Sequence, residues 1–146
     1  MSVHGAIPSD PAPGLKVVLR WLESVSKNDI PLMDSALAPE YRQSFHPKSL
    51  GWAPFSKTEY IAFMTKMLAM FDDFDIDIHD IVEAAETYIV HLSVNATRQV
   101  GVPYITEAVF TVRVKETDGE WKMVDTKEFM DSKFISGFFA SVEQSK

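Results

Sequence analysis

One stretch of the chain decides its fold: residues 104–130 read YITEAVFTVRVKETDGEWKMVDTKEFM. Two runs rich in β-branched and aromatic residues, Tyr104–Lys115 and Trp121–Met130, flank the dipeptide Asp118-Gly119. An Asp-Gly pair between two such runs is the strongest short-range signal for a β-hairpin. The stretch therefore predicts two antiparallel strands at the centre of a sheet.

The register of this hairpin brings two acidic residues together. If the turn has two residues, Thr117 pairs with Glu120 and the pairing continues outward from there. Glu107 and Glu128 then lie diagonally on one face of the sheet, with Phe110 on the other face. Two neighbouring carboxylates repel each other, which raises the pKa of one of them and suits proton transfer. The alternative is a solvated face with two ordinary acids, and a one-residue change of register would separate the pair.

Composition fits one domain with an acidic surface. The chain has 146 residues, of which 46% are hydrophobic and 12% aromatic, enough to bury one core. The net charge of −7 and the isoelectric point near 5.0 argue against nucleic acid and anionic membranes as partners, because both attract basic surfaces. There is no cysteine, which excludes disulfides, thiolate catalysis and cysteine-based metal sites.

The first residues, 1–13, are rich in proline and are expected to form a flexible arm ahead of a single domain over residues 14–142. The arm lacks the apolar run of a signal peptide. No stretch of the sequence reaches the ~18 apolar residues of a membrane span. Together with the absence of cysteine, these features predict a cytoplasmic protein.

Hydrophobic periodicity predicts helices first and strands afterwards. Ser56 and Glu59 have the spacing of a capping box, and the apolar residues that follow repeat at three and four, as on the buried face of a helix. Residues 41–55 are predicted to be an irregular loop, and 133–142 a helical turn or a packed tail. The predicted helices cover residues 14–26, 31–37 and 56–71, and the predicted strands cover 74–80, 87–100, 104–115 and 121–130. This order indicates an α+β fold with an apolar mouth for a small organic molecule.

Four short motifs and their spacing carry a resemblance to a known family. The motifs are Ala36-Leu37-Ala38-Pro39, Pro47-Lys48-Ser49-Leu50-Gly51, Ile78-His79-Asp80-Ile81-Val82 and Glu128-Phe129-Met130-Asp131-Ser132. With the order of the elements, they resemble the NTF2-like (cystatin-like) superfamily and its SnoaL-like branch. Within that branch, the chain is similar to the fungal group that includes isomerases and cyclases of meroterpenoid and polyketide pathways. The resemblance covers nearly the whole domain.

The resemblance implies an NTF2-like cone, in which three N-terminal helices pack on a curved, mainly antiparallel sheet, and a homodimer formed through that sheet. It also implies acid-base catalysis with neither a metal nor an organic cofactor. The family's acidic position on the last strand falls on Glu128, an acid on the preceding strand matches Glu107, and a histidine matches His79. Many members have a histidine just before the last-strand acid, where this chain has Thr126 and Lys127, and this departure argues against a SnoaL-type aldol cyclisation.

Several other side chains are candidates for the pocket. Histidine titrates near neutral pH, so His79 is a candidate proton shuttle, although a pairing with Asp77 or Asp80 is the favoured explanation for it. No two histidines have i,i+4 helical spacing, so no zinc site is expected. Aromatic and apolar candidates are also explained by ordinary packing. The residues assigned to substrate binding are Tyr41, Trp52, Tyr104, Thr126 and Met64.

The sequence supports functions of different classes. The first is a cofactor-independent isomerase, cyclase or dehydratase that acts on a small hydrophobic natural-product intermediate, with Glu128 transferring a proton, Glu107 as its partner and His79 assisting. The second is a non-catalytic module of the same fold for ligand binding or dimerisation, and the third is an accessory protein without a ligand. A fold alone does not distinguish them.

Overall fold

The structure is a computed structural model that describes residues 2–98 and 103–144, the last three of them by their backbone. The helices are α1 (Pro13–Lys27), α2 (Ile30–Ala36), α3 (Lys57–Leu68) and α4 (Ser132–Gln144). The strands are β1 (Val3–Gly5), β2 (Leu37–His46), β3 (Phe55–Ser56), β4 (Phe71–Ala84), β5 (Thr87–Arg98), β6 (Tyr104–Thr117) and β7 (Glu120–Met130).

The three predicted helices are confirmed, each within a few residues of its expected bounds. A capping box starts α3, as predicted. The Glu59 backbone N–H donates to Ser56 Oγ at 3.3 Å, and the Ser56 N–H donates to a Glu59 carboxylate oxygen at 3.0 Å. α1 begins at Pro13 and ends before Asn28, whose left-handed backbone (φ 51°) closes the last turn.

All the described strands join in one sheet, in the order β1-β4-β5-β6-β7-β2-β3. β6 lies in the middle, which confirms that the predicted hairpin forms the centre of the sheet. The contacts between β4, β5, β6 and β7 are antiparallel, whereas β2 runs parallel to β7 and β1 runs parallel to β4. The helices pack on this curved sheet instead of alternating with its strands, which confirms the predicted α+β class.

Three strands, β1, β2 and the two-residue β3, lie where the sequence predicts none. β2 occupies Leu37–His46, so the prediction of an irregular loop is wrong for the first part of residues 41–55. Its partner is β7, a parallel strand far away in the chain, and such a pairing leaves no local hairpin pattern in the sequence. β1 lies within the expected flexible arm, where Val3–Gly5 pairs with the middle of β4. The boundary of the domain at residue 14 stays a prediction.

A β-bulge in β7 changes the register of the hairpin. The turn at Asp118-Gly119 and the first pair of residues beside it are confirmed. Val114 pairs with Met123, but the next pair is Arg113 with Asp125, so Val124 is an extra residue without a partner of its own. From this point to the end of β7, every side chain lies on the face opposite to the one predicted.

The bulge separates the two acids that the sequence placed together. Glu128 pairs with Phe110 and shares its face of the sheet, the face covered by the helices. Glu107 pairs with Ser93 of β5 and lies on the outer face. The prediction that Glu107 and Glu128 are neighbours on one face is therefore wrong.

The core forms between α1 and the inner face of the sheet. Along β5, every second residue from Tyr88 to Ala96 is buried, and the alternate residues are partly or fully exposed. α1 buries a matching stripe that includes Leu15, Val18 and Leu22. The inner face of the sheet also borders a cavity, together with Trp21, Leu22 and Val25 of α1.

Candidate active site

A cavity of about 70 Å³ lies between the helices and the inner face of the sheet. Its wall is formed by residues from α1, α3, α4, the segment after β2 and most of the strands. Nearly all of them are aromatic or aliphatic, such as Trp21, Phe63 and Leu92. Among the described residues that line it, Glu128 is the only charged one, so a single carboxyl group faces an apolar interior.

Burial controls the chemistry of Glu128. The Glu128 side chain is partly buried and lines the cavity. Burial raises the pKa of Glu128 to about 7, and a hydrogen bond from Gln43 opposes part of this increase. Gln43 Nε2 donates to Glu128 Oε1 at 2.8 Å. Glu128 can therefore exchange a proton near neutral pH, which is what a general acid or base requires.

Gln43 is the functional residue that the sequence analysis missed. It lies on β2, opposite Thr126 of β7, and its side chain is fully buried. Tyr41, two residues earlier on the same face of β2, donates its phenolic hydrogen to Gln43 Oε1 at 2.5 Å. A buried glutamine between buried Tyr41 and Phe45 has the alternation of a strand with a polar inward position. That pattern was available in the sequence, but the residues around Pro39 concealed the strand.

Three buried tyrosines surround the carboxyl group. Burial raises the pKa of Tyr41, Tyr60 and Tyr104, and the negative charge of Glu128 adds to the effect at each of them. Trp21 Nε1 donates to the Tyr60 hydroxyl at 3.0 Å and fixes its position. These phenols therefore remain neutral, so the group beside the cavity that changes its charge near neutral pH is Glu128.

Glu107 and His79 lie outside the cavity, on the outer face of the sheet. Glu107 Oε2 is 2.5 Å from His91 Nε2, and both side chains are accessible to solvent. His79 Nε2 is 2.6 Å from Ser93 Oγ, and its Nδ1 is 3.9 Å from a carboxylate oxygen of Asp77. The structure thus brings neither predicted partner to Glu128, and the expected three-residue acid-base set is wrong in its geometry.

The predicted substrate-binding residues divide into two groups. Trp52, Tyr104 and Met64 line the cavity. Tyr41 and Thr126 are buried behind its wall, beside Gln43. The contribution of each residue to binding stays a prediction.

Neither a metal site nor a membrane span is found within the described ranges. In residues 2–98 and 103–144, no three histidine, aspartate or glutamate side chains gather as ligands for a metal ion. Among the helices of the same ranges, none is long and apolar enough to cross a membrane. The cytoplasmic location stays a prediction from the sequence.

The sequence matches the model of the SnoaL-like domain over residues 18–124, which is most of the chain. The chain belongs to the SnoaL-like domain family. This assignment confirms the predicted branch of the NTF2-like superfamily, a fold whose members include polyketide cyclases and isomerases. A search of curated proteins found no match to this SnoaL-like chain.

Solved structures share the fold of this SnoaL-like protein at low sequence identity. BvnE pinacolase from Penicillium brevicompactum is 22% identical with a TM-score of 0.78, and the alignment covers 91% of this chain and 96% of BvnE. AusH from Aspergillus nidulans is also 22% identical, with a TM-score of 0.73 and coverage of 86% and 88%. TerC, co-crystallised with polyporic acid, is 14% identical with a TM-score of 0.69 and coverage of 90% and 99%. At these identities, the similarity establishes the NTF2-like fold.

Proposed function

We propose that this chain is a cofactor-independent isomerase, cyclase or dehydratase in which Glu128 moves a proton on a small apolar organic molecule. The observation that carries the proposal is the position of one partly buried carboxyl group, with a pKa of about 7, on the wall of an apolar cavity. Its carboxylate takes a proton from carbon or oxygen, and the resulting acid returns it at another position of the same molecule.

The lining of the cavity restricts the class of substrate. No described lysine, arginine or histidine lines it, so an anionic group on the substrate would lose its hydration without gaining a charged partner. Aromatic walls such as those from Trp52, Phe63 and Tyr104 favour an uncharged, largely apolar molecule. We therefore propose a neutral hydrophobic intermediate as the substrate, in place of a phosphorylated or carboxylated one.

A ligand of this class requires the cavity to open. The volume of about 70 Å³ is smaller than the ~300 Å³ at the lower end of small-molecule sites. Phe139 of α4 contacts Trp52 with their ring centroids 5.6 Å apart, and both side chains line the cavity. Movement of these two rings enlarges the site without disturbing the sheet, and we propose this movement as the route to a ligand-bound form.

The comparisons support a reaction of this type. BvnE, which has the same fold, is described as a pinacolase, and TerC was crystallised with the organic molecule polyporic acid. Both facts concern those proteins, and for this chain they make an apolar organic substrate the leading candidate. The absence of the family's histidine before Glu128 argues for proton transfer by one carboxyl group instead of a histidine-assisted aldol cyclisation.

The test uses β-tetralone, a small apolar ketone, and follows the exchange of its acidic C–H hydrogens in deuterium oxide by NMR. We expect the wild-type rate to rise with pH through about 7, because the carboxylate is the active base. Glu128→Gln should lower the rate ~10²-fold or more, and Glu107→Gln should not. Exchange by Glu128→Gln at the wild-type rate would refute the assignment.

A second candidate is a non-catalytic ligand-binding or dimerisation module, and the outer face of the sheet favours it. Ile89, Ile105 and Phe129 are 39%, 56% and 48% exposed there. Exposed apolar residues on one sheet face suit contact with a second copy of the chain, so we propose a homodimer formed through this face. A module without catalytic activity would bind β-tetralone but leave its hydrogens unexchanged.

A further inference from the structure

A chain of buried polar side chains leads away from Glu128, behind the cavity wall. Tyr41 donates to Gln43 Oε1 at 2.5 Å, and Gln43 Nε2 donates to Glu128 Oε1 at 2.8 Å. Thr126 lies opposite Gln43 in the pairing of β2 with β7, and its hydroxyl is next to the Tyr41 phenol. Tyr41 is 1% exposed, and Gln43 and Thr126 are 0% exposed.

The Thr126 hydroxyl accepts no hydrogen in this arrangement. Its oxygen is buried next to the Tyr41 phenol, but the Tyr41 hydrogen goes to Gln43, and no hydrogen bond of ordinary geometry to Thr126 Oγ1 is found in the described part of the chain. A buried hydroxyl without a hydrogen bond destabilises the folded state, and a valine would fill the same space without this cost. The position therefore points to a second arrangement of its neighbours, in which the hydroxyl is used.

The amide group of Gln43 can supply that second arrangement. An amide has an oxygen that accepts hydrogen bonds and an NH₂ group that donates them. With NH₂ towards Glu128, as observed, Gln43 stabilises the carboxylate. After a reversal of the amide, its oxygen accepts from the protonated carboxyl group and its NH₂ donates to Tyr41. The hydroxyl hydrogen of Tyr41 is then free to donate to Thr126.

We propose that Tyr41, Gln43 and Thr126 are positioning residues that provide hydrogen-bond partners for both protonation states of Glu128, through reversal of the Gln43 amide. A base that has taken a proton from its substrate must be stable as an acid until it returns the proton. This inference deepens the proposed function, and its meaning for catalysis depends on the proposed role of Glu128. We call these three residues the relay. Their effect on the charge of Glu128 can be measured without turnover.

The other titratable groups around the relay do not replace Glu128 near neutral pH. Tyr60 of α3 and Tyr104 of β6 also interact with its charge, and burial keeps both phenols neutral. Asp125, earlier on β7, acts on Tyr41 through its charge. A titration near neutral pH that is sensitive to Gln43 and Thr126 therefore reports on Glu128.

Thr126→Val tests the relay, because it removes the acceptor that the second arrangement requires for the Tyr41 hydrogen, which in the first arrangement goes to Gln43. Infrared titration follows the C=O stretch of the protonated Glu128 carboxyl group, and Glu128→Gln identifies the band. We expect Thr126→Val to lower the pKa of Glu128 by roughly half to one unit, since the protonated form loses the acceptor for the Tyr41 hydrogen, whereas in the carboxylate form that hydrogen goes to Gln43. Thr126→Ser, which keeps the hydroxyl, should restore the wild-type midpoint.

Thr106→Val is the matched control. The Thr106 hydroxyl is also buried without a partner and lines the cavity, but it does not belong to the relay, so Thr106→Val should leave the pKa of Glu128 unchanged.

Gln43→Met gives a second, independent test and should raise the pKa of Glu128, because the carboxylate loses its charge-assisted hydrogen bond. The relay is overturned if Thr126→Val leaves the midpoint unchanged or raises it, if Thr106→Val lowers it equally, or if Gln43→Met does not raise it. Exchange of β-tetralone by Glu128→Gln would refute the proposed function but leave this infrared result intact.

Discussion

Replacing Glu128 with glutamine should make the protein more stable above neutral pH while abolishing its proposed activity. The carboxyl group has a pKa of about 7 in the folded chain, against 4.5 for an exposed glutamate. The folded state therefore holds this proton more tightly than the unfolded state. The resulting stability is fully present below the unfolded pKa of 4.5 and is lost as the pH rises through about 7. The difference of about 2.5 pKa units corresponds to ~3 kcal/mol of the free energy of unfolding. The wild type loses this contribution at high pH, and a variant with a neutral glutamine would not.

The assay is urea unfolding of the wild type and of Glu128→Gln at about pH 5 and about pH 8. We expect the free energy of unfolding of the variant to exceed that of the wild type by ~2–3 kcal/mol more at the higher pH than at the lower. Other carboxyl groups titrate in both proteins, so their contribution cancels in the difference. Glu120→Gln, an exposed position on the same strand, should give no such widening. Parallel stability profiles for the wild type and Glu128→Gln would refute the argument that burial raises this pKa.

Four further predictions test separate features of the structure. Ser56→Ala removes the capping box of α3 and should cost ~1 kcal/mol of stability in thermal unfolding; an unchanged midpoint would contradict the cap. Glu107→Gln should retain the pH profile of β-tetralone exchange, because its side chain is on the outer face; a profile that shifts or disappears would return Glu107 to the site. Ile105→Glu should convert the proposed dimer into a folded monomer in analytical ultracentrifugation, and an unaltered dimer would place the contact elsewhere. Phe139→Ala enlarges the cavity and should strengthen binding of β-tetralone in an NMR titration, whereas lost binding would make this ring part of the binding surface.

The sequence was sufficient for features that depend on neighbouring residues. The helix over residues 57–68 follows from an apolar stripe and from a cap only three residues apart. The turn at Asp118-Gly119 follows in the same way, because positive φ angles at both residues suit a two-residue hairpin loop. The position of Glu128 as the acidic residue of the last strand came from the family resemblance, and the structure places it in the cavity.

The remaining features depend on residues that are distant in the chain. Val124 has no sequence signature of a bulge, so nothing local indicated that the register changes there and that Glu107 is left on the outer face. Gln43 was missed because β2 pairs with a strand that follows it by most of the length of the domain. A polar residue in a segment bounded by Pro39 and Pro47 is an ordinary loop pattern until that distant partner is known.

The short N-terminal strand has a consequence for how the chain can be handled. The Ile76 N–H donates to the Ser2 carbonyl at 2.9 Å, and the Ala6 N–H donates to the Ile78 carbonyl at 2.8 Å. Trimming the chain to the start of α1 would leave these main-chain groups of β4 without partners, on the edge of a long strand. Exposed edges of this kind recruit strands from other molecules. A shortened protein should therefore be prone to aggregate, and an affinity tag is better attached at the opposite terminus.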